Sequence, residues 1–130
     1  MKRNLLVLLL TGLVVVLING CAATDNGKPK HAEISGKKTT IATGDFFEAC
    51  DKFPVGATVE YTFSTVKPVM FNVHYHDKRS KVYAVEEQMT DSTSGSFEVV
   101  SEAIYCCMWE NKGNKATKMT YNMTVKNLEK

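Results

Sequence analysis

The chain has 130 residues, 44% of them hydrophobic, with 16 Lys and Arg against 14 Asp and Glu. That length suits one ordinary domain with a leader, and so even a charge balance argues against nucleic acid as a partner. With four cysteines in the chain, the redox compartment becomes the first question.

The N-terminus answers it. Lys2 and Arg3 precede an apolar run from Leu5 to Ile18, broken only by Thr11 and Gly12, which stops at Asn19-Gly20-Cys21. The run is too short and too promptly ended for a membrane-spanning helix and has the anatomy of a secretory signal. Ile18, Gly20 and Cys21 resemble the bacterial lipoprotein signal, with Asn19 an unusual occupant of its middle position. The resemblance implies removal of residues 1–20, diacylation of the Cys21 thiol by palmitate-type chains, and acylation of the new terminus. Ala22, where an Asp would signal retention at the inner membrane, implies an anchor in the outer membrane facing the periplasm. Each buried methylene of such a chain is worth about 0.8 kcal/mol. Lys2 and Arg3 leave with the leader, so 14 basic and 14 acidic residues remain. The apparent basicity belonged to the signal.

Residues 21–38 carry Thr, Asp, Asn, Gly, Lys and Pro with few large apolar side chains, and read as a lipidated flexible tether. The domain is predicted over 39–130. Asp45 to Lys52, with Phe46, Phe47 and Cys50 on one side, has the only helical spacing and predicts one short helix at most. Pro54 and Gly56 supply a turn. Thr58 to Thr65 then alternates, with Val59, Tyr61 and Phe63 on one face. Val69 to His76 sets Phe71, Val73 and Tyr75 against Met70, Asn72, His74 and His76. A turn at Asp77–Ser80 leads to a strand at Lys81–Val85, and a Ser-, Thr- and Gly-rich loop runs to Gly95. Phe97 and Val99 mark the next strand, Ile104–Trp109 another, Asn111–Lys115 a turn, and Ala116–Val125 the last strand. Short alternating strands with turns at this spacing predict an all-β fold, a single antiparallel β-sandwich of the Ig-like kind.

Ile104–Trp109 concentrates the scarce residues. Tyr105, Cys107 and Trp109 point one way, Ile104, Cys106 and Met108 the other. Both faces are apolar or soft, which predicts a strand covered on both sides. With Cys21 lipidated, Cys50, Cys106 and Cys107 remain. Adjacent cysteines seldom bond to each other, so Cys50 should bridge Cys106 or Cys107 and leave one thiol over.

Val69, Phe71 and Val73, then Gly95-Ser96-Phe97, Tyr105-Cys106, Asn111 and the alternating terminal strand are similar to the Golgi-dynamics (GOLD) β-sandwich family. The resemblance implies a bridge from Cys50 to Cys106, and a protein-interaction module without catalysis. Within it, Asn72-x-His74-x-His76 and Tyr105-Cys106-x-Met108-Trp109 resemble a group of uncharacterised bacterial envelope proteins, with Cys107 standing where a larger aromatic is expected.

His74 and His76 are the sharpest local feature. On a strand, residues two apart share a face with side chains about 6–7 Å apart, close enough to share a metal. Imidazole suits copper and zinc, and Met108 with Cys107 or Cys106 would add soft ligands for Cu(I), with Trp109 as an aromatic lid. The plain alternative is a pair of solvated histidines near a turn. Met119 and Met123 face the expected core. No phosphate loop, nucleophile elbow or cysteine-protease signature appears. The expectation is a membrane-anchored, non-enzymatic binding module for an envelope protein or small ligand, with periplasmic copper binding as the alternative.

Overall fold

The computed structural model describes residues 33–126; the leader, Cys21 and residues 21–32 of the tether lie outside them. Six antiparallel strands are formed: β1 (Glu33–Ile41), β2 (Phe46–Lys52), β3 (Thr58–Asp77), β4 (Ser80–Glu98), β5 (Ile104–Glu110) and β6 (Thr117–Lys126). There is no helix among the described residues.

The β3–β4 hairpin organises the rest. β3 has 20 residues, which laid straight would span about 65 Å, far more than a domain of this size can hold. It bends instead. Its register with β4 shifts between Ser64 and Val69, around Pro68, a residue with no N–H to give a ladder and at home in a bulge. The Lys67 N–H donates to Thr117 Oγ1 at 3.0 Å, and the Thr65 hydroxyl lies 2.6 Å from the Lys67 carbonyl. Before the bend β3 pairs with β6; after it, with β5. β4 follows both halves, β1 extends the first layer through β6, and β2 extends the second through β5. The result is an antiparallel sheet curled into a sandwich-like fold.

Period-two alternation explains which faces meet. In the first layer Val59, Tyr61, Phe63, Met119, Tyr121, Met123 and Val125 are buried; in the second, Phe71, Val73, Tyr105, Cys107 and Trp109. Trp109 joins the layers, with ring centroids 5.5 Å from Phe71 in its own layer and 5.6 and 5.2 Å from Phe63 and Tyr121 in the other. Full burial of such rings contributes about 1.5–3 kcal/mol apiece. The Trp109 Nε1–H is buried without an acceptor, a cost of about 1–3 kcal/mol that the packing offsets. Asn111 closes one end of the sandwich: its amide donates to the carbonyls of Ile41 and Lys115, and its Oδ1 accepts from the Gly113 N–H.

Four expectations are corrected. Residues 45–52 form no helix: Phe46–Lys52 is an edge strand in register with β5 from Glu110 to Ile104, where ladder bonds outweigh the weak helical spacing. Residues 33–38, expected in the tether, belong to β1, because Lys37 to Ile41 pair with Tyr121 to Thr117. The Ser- and Thr-rich stretch after Val85 is not a loop. It is part of β4, with Ser92, Ser94 and Ser96 exposed, Thr90 and Thr93 half-buried, and its backbone bonded to β3. Finally, the outer face of β5 is covered only in part: Cys106 is buried and Met108 half-buried, but Ile104 is 59% exposed.

Candidate functional site

The outer face of the second layer gathers the unusual side chains. Directly opposed residues in a sheet share a face, so the strand registers define its rows. Glu48 opposes Met108, which opposes Asn72. Cys50 opposes Cys106, Cys106 opposes His74, and His74 opposes Tyr83. His76 opposes Lys81. At the other end Phe46 opposes Glu110, Glu110 opposes Met70, and Met70 opposes Met89.

Cys50 and Cys106 form a disulfide. It ties the edge strand β2 to β5 at the row that carries His74, and so holds Glu48 next to the histidine. Cys107 is the free thiol, one residue along β5 and on the opposite face. Burial pushes it up to about 12, so it is neither a nucleophile nor a ready thiolate at neutral pH. Cys107 therefore cannot join His74 and His76 in a metal site, and Trp109, also on the inner face, cannot be a lid over them. Cys106 reaches the right face but is consumed by the disulfide.

His74 is 3% exposed. Its Nδ1 lies 2.8 Å from Asn72 Oδ1, and Asn72 is itself buried. Burial first, then the positive charge of Lys81 and of His76, lowers the His74 pKa to about 4, with Glu87 opposing. The ring is thus neutral at pH 7. With Asn72 presenting its Oδ1 to the ring, Nδ1 takes the donor's part and Nε2 the acceptor's; the opposite amide orientation exchanges them. That Nε2 faces Glu48 Oε1 at 3.7 Å, beyond hydrogen-bond distance. The His76 ring stands edge-on to His74 with centroids 5.4 Å apart. Beyond His74, Lys81 lies over the Tyr83 ring at 5.4 Å and the Tyr83 hydroxyl donates to Glu87 at 3.1 Å.

The structure thus brings His74, His76 and Met108 to one face and removes Cys107. Among the described residues, one group of three donors with metal-ligand spacing contains Glu48, Cys50 and Cys106, within 4.8 Å of one another; two of those are sulfurs already bonded to each other. Glu48 is the participant that the sequence reading missed. Its signal was present in the alternation of Phe47 and Ala49 with Glu48 and Cys50, but the helical spacing of the same residues hid it. Glu87 was missed because the register of β4 shifts twice between Tyr83 and Gln88 and breaks the simple alternation there; Lys81 and Tyr83 keep that alternation, but it does not say which strand they lie beside.

No protein-family model matches the chain, and no curated protein matches it. Among solved structures, the chain is similar to a de novo designed double-stranded β-helix determined by solution NMR, at 15% identity over 73% of this chain and 99% of that one, with a TM-score of 0.38. An overlap that slight carries no argument about fold or function.

Proposed function

We propose that this chain is a lipid-anchored protein of a bacterial envelope, held at the outer membrane through acylated Cys21, whose GOLD-like β-sandwich is a non-catalytic binding module facing the periplasm. The observation that carries the reading is the outer face of the second layer. There Met70, Met89 and Met108 lie with Phe46 beside a row of polar side chains, Phe46 and Met89 each more than half exposed. Thioether chains adapt to varied partners, and apolar side chains gathered on a polar rim mark an interaction site. The partner is an envelope protein or a small ligand.

Two experiments test this. Mass spectrometry of protein extracted from membranes should find an acylated Cys21 terminus; residues 1–20 still attached to a free Cys21 would remove the anchor. A photo-crosslinker at Met89 in the anchored protein should give a discrete adduct that Phe46→Glu abolishes. The same crosslinking pattern from Lys118, on the first layer's outer face, would deny the second layer any special role.

Copper binding in the periplasm is the second reading. The 5.4 Å between the His74 and His76 rings, on a face that also carries Met108, favours it.

A further inference from the structure

We infer that His74 Nε2 and the Glu48 carboxylate are ligands of one divalent transition-metal ion of borderline hardness, Cu(II) or Zn(II), with His76 supplying a third ligand. This deepens the copper reading by adding an oxygen ligand and by moving the site from soft, thiolate-assisted Cu(I) to an imidazole–carboxylate set; it rests on that reading's shared face.

Two groups able to bind a cation stand side by side. His74 Nε2 lies 3.7 Å from Glu48 Oε1, and Nδ1 is occupied on its other side by Asn72 Oδ1. The two atoms are too far apart to hydrogen-bond to each other, and a cation seated between them, beside a ring that is 3% exposed, would bind both. The spacing is that of co-ligands. Atoms that are each about 2.0–2.2 Å from one ion and 3.7 Å apart subtend about 115–135° at it, within the range of distorted tetrahedral and five-coordinate sites.

The surroundings are built as a ligand-bearing site requires. Asn72 is 2% exposed, and its 2.8 Å contact with Nδ1 holds the ring plane, a task that outer partners of metal-bound histidines perform. The disulfide from Cys50 to Cys106 pins β2 two residues from Glu48, so the carboxylate belongs to a rigid strand pair. His76 is exposed, with its ring centroid 5.4 Å from that of His74, and would have to turn to complete the set. Around this centre stand Glu48 from β2, His76 from β3, and Lys81 and Glu87 from β4; β5 contributes only Met108 and the disulfide. The two carboxylates outweigh the one ammonium, a balance that admits a cation. Imidazole with carboxylate suits Zn(II) and Cu(II) better than it suits Cu(I).

The test uses the full-length protein in detergent with its disulfide intact. Zn(II) and Cu(II) are titrated separately at pH 7.5 by calorimetry, and the Cu(II) form is read by electron paramagnetic resonance for imidazole nitrogen coupling. The expected result is one ion per chain with at least one coupled nitrogen. Because His74→Ala strips Asn72 of its buried partner and endangers the fold, Glu48→Gln is the decisive variant. It should weaken binding about 10-fold or more with an unchanged circular dichroism spectrum, and Met108→Leu should bind as the parent does. No binding of either ion, or equal binding by Glu48→Gln, overturns the inference. Cu(I) binding that depends on Met108 and not on Glu48 overturns it too, yet leaves the copper reading standing. None of these outcomes touches the crosslinking test of the binding face.

Discussion

Acidifying the chelated protein from pH 7.5 to 4.5 should destabilise it through His74. The folded-state pKa is lowered from 6.5 to about 4 by burial, Lys81 and His76, while the unfolded chain titrates near the ordinary value. Between these two values the unfolded chain holds a proton that the folded chain refuses. The stability linked to His74 is therefore complete above pH 6.5 and drains away as the pH falls toward 4. A ring sealed from water would lose about 2.5 kcal/mol by pH 4.5. Glu48, with 31% of its side chain exposed, and exposed His76 bring solvent screening to its edge, so about 1–2 kcal/mol is expected. Urea unfolding at stepped pH, in excess chelator, gives the slope. His74→Gln keeps a polar partner for Asn72 and removes the titration, so its curve should lack this slope, while the carboxylate contributions below pH 5 remain in both. Parallel curves for parent and variant, or a His74 ring resonance titrating near pH 6.5, would refute the reasoning.

Three further outcomes follow from the same packing. Replacing both Cys50 and Cys106 with Ala frees a loop of sequence separation 56, and on the chain-entropy account should cost about 4 kcal/mol in urea unfolding; a loss below about 1 kcal/mol would mean that β2 stays paired without the bridge. The Cys107 thiol, raised to about 12 by burial, should resist maleimide at pH 8 until denaturant is added, and labelling at equal rates in both states would place it on the wrong face. Gly95→Ala should cost about 1–3 kcal/mol, read as a lowered Tm, because the new Cβ would meet the Tyr61 hydroxyl at 2.5 Å and Tyr61 is wedged beside Phe71 and Phe97. An unchanged Tm would show that Tyr61 swings aside freely.

How much was legible depends on whether a residue's place is set locally. Tyr105, Cys107 and Trp109 face inward and Ile104 outward as their alternation predicts, and Met119, Tyr121, Met123 and Val125 line the core for the same reason. Those segments have one strong period and one apolar face. Phe46 to Lys52 carries two competing periods, and pairing with β5 decided between them. The stretch after Val85 has too few apolar residues to signal a strand. It is one because β3 lies alongside and accepts its backbone, which composition cannot report.

By itself, then, the sequence determined the all-β class, the inward and outward faces of β5 and β6, and a pair of histidines sharing one face, since side chains alternate on a strand whatever lies next to it. Only the tertiary structure decided that β3 and β4 run unbroken through both layers, that Cys107 is sealed in the core while Cys106 takes the bridge to Cys50 that the family resemblance implied, and that Glu48 stands before His74. Those are matters of register between strands distant in the chain. Glu48 and His74 lie on strands that never pair with each other; β5, between them, brings the carboxylate to the imidazole.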